Sequence, residues 1–265
     1  MTYHRASKPG GRQKQAGAGR KERGDGKAGQ DKEGMMSPGD VLSYLEMCAE
    51  EGVNLQRGMN FRLHSNYSVI LMSLRPGAPY ADRIEDDGKT LIYEGHDVPK
   101  INGVENPKII DQPMHNLSGS LTENGLFFTA ALKYKNQRCN FEIVKVYEKI
   151  RSGIWVYSGK FKLLDTWQDI VGNRKVFKFR LELIDEPDHS KQMAPRELNH
   201  NRMIPTAIKI EVWKRDKGRC VKCGSTINLH FDHIIPYSKG GSSSSSENIQ
   251  LLCAKHNILK KDKIE

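Results

Sequence analysis

Four residues near the C-terminus have the types and spacing of a metal site. Cys220 and Cys223 form a Cys-x-x-Cys pair, and Cys253 and His256 form a Cys-x-x-His pair further along the chain. Two such pairs suit a tetrahedral zinc ion, because each tight turn presents two sulfur or nitrogen ligands to one ion. The chain has five cysteines, and a C-terminal group of three favours metal binding over a disulfide scaffold. The alternative is a pair of reduced, buried cysteines beside a surface histidine.

Between these pairs lies an Asp-His dipeptide whose residue types could supply a general base and a metal ligand. Hydrolysis of a phosphodiester, for example, needs an activated water and a cation that neutralises charge on the phosphate. His233 is the candidate general base because its ordinary pKa is near neutrality. Asp232 would offer a hard oxygen ligand to Mg²⁺. Neighbouring residues of a strand face opposite sides, so both can serve one site only if the strand ends or bends here.

The pattern around this dipeptide resembles the HNH nuclease family, the ββα-metal fold, over about residues 204–263. It consists of Asp-His-Ile-Ile-Pro at 232–236, Gly-Gly at 240–241, Glu-Asn-Ile-Gln-Leu-Leu-Cys at 247–253, and His-Asn at 256–257 followed by a lysine at 260. Such an extended pattern is more specific than any single match within it.

The resemblance implies roles for further residues. Asn257 would be the second ligand of a catalytic Mg²⁺ or Mn²⁺, and Asn248 would hold the loop and orient the base. His230 and Lys260 are candidate phosphate contacts, although an isolated histidine such as His230 can equally be structural. The sequence departs from many relatives by having His256 in place of a fourth cysteine. If His256 were instead the third histidine of the motif, the zinc would lack a ligand and the role of Asn257 would be open.

The middle of the chain is similar to the SRA (YDG) family, which reads modified cytosine in DNA, over about residues 38–187. The similarity comprises Tyr-Ala-Asp from Tyr80, Tyr-Glu-Gly from Tyr93, Asp-Gln at 111–112 before Leu-Thr at 121–122, and Tyr-Ser-Gly at 157–159 before Trp167. The family's YDG aspartate is replaced by Ser158, and the spacing from Tyr80 to Tyr93 also departs from the family pattern.

This resemblance implies a pocket for an extruded base. Flipping the base lets a protein read a methyl group stringently, with aromatic rings stacking the base and a carboxylate accepting from its amine. Tyr80 and Tyr93 are the candidate stacking rings, and Asp82 is the candidate acceptor. Asp86 and Asp87 are alternative acceptors, because the departure in spacing allows more than one alignment of this segment with the family pattern. Each tyrosine could instead be a packing residue of a strand.

Apolar periodicity indicates several strands with one or two helices, which suggests an α+β fold with a curved, barrel-like domain. The two resemblances imply the finer architecture: an SRA/PUA-like curved β-barrel domain with flanking helices, followed by a small zinc-bound ββα-metal domain. A helix is expected from Asp40 to before Gly52, with one face formed by Val41, Leu42, Leu45 and Cys48. Further helices are expected at 121–132 and 205–217. Strands are expected at 67–74, 90–93, 141–147, 154–164 and 175–184.

Composition predicts a disordered basic tail at 1–36 and a linker at 188–203. The two resemblances imply an SRA-like domain at 37–187 and a nuclease domain at 204–265. The net charge is +10, and residues 1–36 carry nine Lys and Arg against four Asp and Glu. The basic flanks favour a polyanionic partner. The tail could instead be a solvated extension or reflect an over-long gene start, with initiation at Met35 or Met36. The polar N-terminus and apolar runs too short for a membrane span predict no membrane association and a cytoplasmic location.

Together these features predict an endonuclease that depends on modified DNA, with double-stranded DNA carrying 5-methylcytosine or a related base as its partner. One nuclease site cuts one strand, so a homodimer is a hypothesis for double-strand cleavage. The alternatives are a non-catalytic protein that binds modified DNA, and an HNH nuclease specific for unmodified DNA.

Overall fold

A computed structural model describes residues 36–85, 88–99, 104–184, 203–261 and 263–264. Met36–Glu265 form one compact unit. Apart from Met36 and Met203, the predicted tail at 1–36 and linker at 188–203 lie outside the described residues.

A large mixed sheet occupies the middle of the chain. Its strands are β1 (Val41–Ser43), β2 (Met59–His64), β3 (Tyr67–Met72), β4 (Arg83–Ile84), β5 (Thr90–Glu94), β6 (Glu142–Arg151), β7 (Ile154–Val171) and β8 (Arg174–Leu183). The strand order is β2-β3-β6-β7-β8-β5-β4, and β1 pairs separately with β7. The β3–β6 pairing is parallel, and the other pairings in this sheet are antiparallel.

Two antiparallel hairpins form the centre of this sheet. β6, β7 and β8 are joined by tight turns in which Gly153 and Gly172 have φ of +75° and +62°. These values lie in the left-handed region, which glycine adopts without a side-chain clash. The strand predicted at 175–184 is confirmed as β8, in which Val176, Phe177, Phe179 and Leu181 are buried.

Two helices flank the sheet: α1 (Tyr44–Glu50) and α2 (Glu123–Lys135). The helix expected at 121–132 is confirmed as α2, and Thr122 caps it because its side chain accepts a hydrogen bond from the Gly125 N–H. Phe127 of α2 packs in the buried core with Phe161 and Phe179 of the sheet. This packing of helices on a large sheet confirms the predicted α+β class.

The helix expected from Asp40 was placed wrongly at its start. Val41–Ser43 form β1, which pairs with Ile154–Val156 of β7, and the helix begins at Tyr44. Ser43 and Glu46 form a capping box, which satisfies backbone N–H groups of the first turn. Leu45, expected on the apolar face, is 77% exposed. Strand pairing to β7 thus overrode the local helical pattern. Strand β2 was missed altogether.

The C-terminal module has a ββα arrangement. Helix α3 (Thr206–Arg215) precedes strands β9 (Leu229–His233) and β10 (Ile249–Cys253), which pair antiparallel, and helix α4 (Ala254–Lys260) follows directly. Short 3₁₀ turns lie at Pro107–Ile109, Tyr237–Lys239 and Ser246–Asn248. Helix α3 starts after Pro205, as expected, and Gly218 follows its end with φ of +61°.

The C-terminal module shares a hydrophobic core with the large sheet. Val156 of β7 is buried with Val212 of α3, Phe231 of β9 and Leu251 of β10. Residues 39–40 also bridge the two parts through the backbone: the Gly39 N–H donates to the Tyr157 carbonyl at 2.8 Å, and the Phe231 N–H donates to the Gly39 carbonyl at 3.1 Å. The C-terminal module is therefore docked on the sheet. In the part of the chain that the structure describes, no helix combines the length and apolar character needed to cross a membrane.

Candidate functional site

The four predicted metal ligands form one cluster. Cys220 and Cys223 lie in the turn after α3, Cys253 ends β10, and His256 lies in the first turn of α4. The Cys220 Sγ and Cys253 Sγ atoms are 3.5 Å and 3.2 Å from His256 Nδ1, and Cys223 Sγ is 3.8 Å from Cys253 Sγ. All four ligand atoms lie within 4.8 Å of one another.

This donor set fits a tetrahedral metal ion. Sulfur and nitrogen ligands about 2.1–2.3 Å from a shared centre would be separated by distances of this size. Burial alone would raise the pKa of the Cys220 thiol, but backbone N–H groups of Cys253, Lys222 and Cys223 lower it to about 6. A thiolate is the form that binds metal. The cluster can therefore hold a metal ion, and the assignment of His256 as its fourth member agrees with the geometry.

Asp232 and His233 lie where β9 ends, as a shared site requires. His233 is the last residue of the strand and pairs with Ile249 of β10. Its Nε2 atom is 2.8 Å from the Ser243 hydroxyl, and Ser243 is buried. Ser243 was not anticipated from the sequence, because it lies in a serine-rich run that looked like a flexible loop tip.

Lys260 contacts both residues of the Asp232–His233 dipeptide. Its Nζ atom lies 2.9 Å from Asp232 Oδ2 and donates to the His233 carbonyl at 2.6 Å. The Lys260 side chain is 1% exposed. This arrangement does not support the expected contact with phosphate, since the ammonium group is buried and already paired with a carboxylate.

Asn248 clamps the loop that follows the dipeptide. Its Oδ1 atom accepts from the Ile235 N–H at 2.8 Å, and its Nδ2 group donates to the carbonyls of Ile235 and Ser242 at 3.2 Å and 3.0 Å. The backbone approaches closely here, because a Cβ atom on Gly241 would lie 1.8 Å from the Ile235 carbonyl oxygen. Asn248 thus joins the two ends of the loop that follows His233.

Asn257 and His230 have different surroundings. Asn257 is half-buried on α4. Residues three apart share a helix face, so it lies on the side that carries Lys260 and faces Asp232.

His230 Nδ1 is 2.8 Å from Asp40 Oδ1, and its side chain is 13% exposed. This pairing favours the structural alternative for His230 over a phosphate contact.

The three residues predicted for the base pocket line one cavity. Tyr80, Asp82 and Tyr93 all border a volume of about 830 Å³ beside the large sheet. The alternative acceptors Asp86 and Asp87 lie outside the described residues. Arg57 and His96 also line the cavity. The sequence offered a signal for His96, which follows Tyr93 by three residues in the segment compared with the SRA family.

The two tyrosines differ in what they can contribute. The Tyr80 ring stacks on the His96 ring, with centroids 5.3 Å apart and an interplanar angle of 18°. The Lys108 ammonium lies over the Tyr80 ring at 4.1 Å. Tyr93 is 1% exposed and packs in the core, so its ring forms part of the wall. The expectation that Tyr93 offers an open stacking face is not supported, and the packing alternative fits its burial.

Two backbone N–H groups fix the position of the Asp82 carboxylate, which acts as a hydrogen-bond acceptor. The carboxylate accepts from the backbone N–H groups of Glu94 at 3.0 Å and Ser73 at 3.4 Å. Burial raises the pKa of the Asp82 carboxyl to about 7, although these two N–H groups act in the opposite direction by stabilising the carboxylate. The group thus changes charge near neutral pH.

Buried ion pairs fix the chain around the cavity. Glu94 Oε2 lies 2.8 Å from Lys178 Nζ, and Glu94 Oε1 lies 3.4 Å from Arg174 Nη2. Arg174 Nη1 also contacts Asp97, which pairs with Lys108 Nζ at 2.8 Å. These contacts connect β5 and β8 to the segment that carries His96, and they give the cavity wall a defined position.

Comparison with solved structures finds partial similarity in fold. The crystal structure of SUVH5 SRA in complex with hemimethylated CG DNA matches 61% of this chain and 95% of its own, with 22% identity and a TM-score of 0.41. The modification-dependent TagI restriction endonuclease matches 87% of this chain and 79% of its own, with 19% identity and a TM-score of 0.38. No curated protein sequence matches the chain.

The C-terminal module has a family match of its own. The matched residues, 220–263, contain the metal-ligand cluster, the Asp232–His233 dipeptide, Asn248 and Asn257. The segment 220–263 of this chain therefore matches the HNH endonuclease family.

Proposed function

We propose that this protein is a modification-dependent DNA endonuclease that binds 5-methylcytosine or a related base in its middle domain and cuts the backbone with its C-terminal module. The observation that carries the proposal is the presence, in one compact unit, of the cavity lined by Tyr80 and Asp82 and of the Asp232–His233 dipeptide within the HNH-matching segment.

The cavity suits recognition of an extruded base. Its volume of about 830 Å³ is larger than a single base needs, and Tyr80 provides an aromatic surface at its wall. The ionised Asp82 carboxylate can accept from an exocyclic amine. Because Tyr80 already contacts His96 and Lys108, a base that stacks on it must share the ring with these groups or displace one of them.

The C-terminal dipeptide suits phosphodiester hydrolysis. His233 removes a proton from the attacking water, and Ser243 together with the loop held by Asn248 keeps its ring oriented. Asp232 and Asn257 are the proposed ligands of Mg²⁺ or Mn²⁺, and the oxygen donors of both suit such ions. When bound, the ion supplies charge neutralisation at the phosphate. Binding it at Asp232 requires the carboxylate to be shared with Lys260 or released by it.

We assign zinc to the cluster of three cysteines and one histidine. Thiolate and imidazole ligands in a closed tetrahedral set are typical of structural zinc. The ion would join the turn after α3 to the start of α4, and so it would hold the helix that carries Asn257.

One nuclease site cuts one DNA strand, so cleavage of both strands requires either two sites or two successive binding events by one protein. We therefore include a homodimer on DNA in the proposal. Sedimentation equilibrium that finds only monomers, both free and on modified DNA, would contradict the homodimer while leaving the nuclease assignment intact.

Digestion of matched plasmids tests the main proposal. One plasmid carries 5-methylcytosine, the other is unmodified, and each is incubated with the zinc-loaded protein and Mg²⁺ or Mn²⁺. We expect faster cleavage of the modified plasmid. Equal rates would support a nuclease that acts on unmodified DNA, and intact backbone with retained binding would support a non-catalytic reader.

A further inference from the structure

His96 occupies the base-binding cavity as a third polar group beside Tyr80 and Asp82. Its ring stacks on Tyr80, and its Nε2 atom lies 2.9 Å from the Tyr93 hydroxyl. The HNH and SRA resemblances assign it no role.

The position of the His96 ring is built into the fold. Its backbone N–H donates to Asn124 Oδ1 at 2.8 Å, and its carbonyl accepts from Asn124 Nδ2 at 2.8 Å. Asn124 is itself buried in α2. Glycine at position 58 leaves the space for the ring, because a Cβ there would lie 2.7 Å from His96 Nε2. The imidazole is therefore held at the wall.

The hydrogen bonds around His96 indicate which ring nitrogen is available. Burial lowers the pKa of His96 to about 4, so the ring is neutral at pH 7 and has one donor and one acceptor nitrogen. The Tyr93 hydroxyl lies 3.3 Å from the Gly58 carbonyl and 3.4 Å from the Leu71 carbonyl. Most bonds form when Nε2–H donates to the Tyr93 oxygen and the hydroxyl donates to a carbonyl.

That tautomer leaves Nδ1 as an acceptor. Among the described residues, no hydrogen-bond partner of His96 Nδ1 is found. Asp82 and His96 lie in different segments and both line the cavity, so its wall carries two acceptor groups, a carboxylate and an imidazole. A ligand that satisfies both must present two N–H donors.

We propose that His96 Nδ1 accepts a hydrogen bond from the exocyclic amine of the extruded base, together with Asp82, so that the cavity selects amino bases over keto bases. This inference rests on the proposed reading of a flipped base. An exocyclic amine has two hydrogens and can serve both acceptors. Thymine carries the same 5-methyl group as 5-methylcytosine but has a carbonyl in place of the amine. Its carbonyl cannot donate to either acceptor, and its single N3–H can serve at most one of them.

Competition binding tests this role with duplexes that differ in one base. The full-length His233→Ala protein is mixed with duplexes that carry 5-methylcytosine, cytosine or thymine opposite the same guanine. We expect the protein to prefer 5-methylcytosine over thymine. His96→Phe keeps an aromatic ring but removes the acceptor, and it should reduce this preference at least about fivefold, the lower range for base discrimination by hydrogen bonds. His115→Phe is the matched control, because His115 is exposed and does not line the cavity.

The outcomes separate the two levels of the proposal. An unchanged preference in a folded His96→Phe protein overturns the role of His96 and leaves modification-dependent reading intact. Equal binding of 5-methylcytosine and cytosine contradicts modification-dependent reading, while the ratio of cytosine to thymine still tests His96. If His96→Phe unfolds, ¹⁵N NMR of the His96 ring in the His233→Ala protein replaces it. The Nδ1 resonance should shift with the 5-methylcytosine duplex and not with the thymine duplex, and identical spectra would overturn the proposal.

Discussion

Glu148 of β6 and Lys209 of α3 form a buried ion pair between the large sheet and the C-terminal module. The Glu148 Oε2 and Lys209 Nζ atoms are 2.5 Å apart, and the two side chains are 1% and 5% exposed. The Thr206 hydroxyl donates to the other carboxylate oxygen. The pair lies beside the shared apolar core, so the docking of the module has both a polar and an apolar component.

Removing one member of this pair should destabilise the protein strongly. Glu148→Ala leaves the Lys209 ammonium buried without its carboxylate, which costs about 3–5 kcal/mol in comparable cases. Urea unfolding followed by circular dichroism measures the change. Glu85→Ala, which removes the exposed pair with Arg83, is the control and should cost at most about 1 kcal/mol. If Glu148→Ala lowers the free energy of unfolding as little as Glu85→Ala does, the buried pair adds little to docking.

The metal cluster should be needed for folding of the C-terminal module. Cys253→Ser removes one of four ligands, so we expect loss of bound zinc and a lower unfolding temperature, because metal binding free energy contributes to folding. Atomic absorption and thermal unfolding are the measurements. Cys139→Ser is the control, since Cys139 is an exposed cysteine outside the cluster. Full stability of Cys253→Ser after chelation would contradict a structural metal.

His233→Ala should abolish DNA cleavage while DNA binding is retained. Loss of a general base slows proton transfer by roughly 10²–10⁴-fold. Nicking of modified plasmid in Mg²⁺ or Mn²⁺ gives the rate, and gel shifts give the affinity. Cleavage at the wild-type rate would exclude His233 as the base.

Lys260→Met tests whether its ammonium contacts phosphate. Because Lys260 is buried against Asp232, we expect the salt dependence of DNA binding to stay the same while stability falls. A direct phosphate contact would instead reduce the slope of log K against log salt by about one. The slope comes from fluorescence anisotropy at several salt concentrations, and such a reduction would restore the phosphate role.

Asp82 should make stability depend on pH. Its pKa is raised from 3.8 to about 7 in the folded protein, so between these values the folded state keeps a proton that the unfolded state releases. The contribution to stability is present below about pH 4 and is lost as the pH rises through about 7. Asp82→Asn should lack this decline.

Urea unfolding from pH 4 to pH 8 measures the difference between the wild type and Asp82→Asn. The neighbouring Glu94 and Lys178 are present in both proteins, so their titration largely cancels. Parallel pH profiles would show that Asp82 is ionised throughout this range.

Local spacing accounts for the parts of the site that the sequence predicted well. The ligands Cys220, Cys223, Cys253 and His256 come from two turns, each with its pair three residues apart, and this geometry survives any packing of the rest. Asn248 was predicted as a loop-holding residue, and its three side-chain hydrogen bonds agree with that role. The Thr122 cap of α2 is also a local contact, because its hydrogen bond joins Thr122 to Gly125 in the same turn.

Long-range contacts account for what the sequence did not show. Val41–Ser43 have helical periodicity but form a strand, because β7, which is more than a hundred residues away, supplies backbone partners. The sequence indicated a phosphate contact for Lys260, but its ammonium group contacts Asp232 and the His233 carbonyl, which come from a strand 27 or more residues earlier. Ser243 and His96 were not predicted as site residues, because the contacts that place them come from irregular or distant segments.

The sequence by itself determined the identity of the chemical groups: a set of soft metal ligands, an Asp-His dipeptide, and a tyrosine–carboxylate segment. Their types and short spacings are properties of the chain alone. Only the tertiary structure decided that Tyr80, Asp82 and His96 line one cavity, that the ring of Tyr93 is buried, and that the C-terminal module is docked on the sheet. These features depend on burial and on pairing between distant strands, and a linear pattern does not encode burial or distant partners directly.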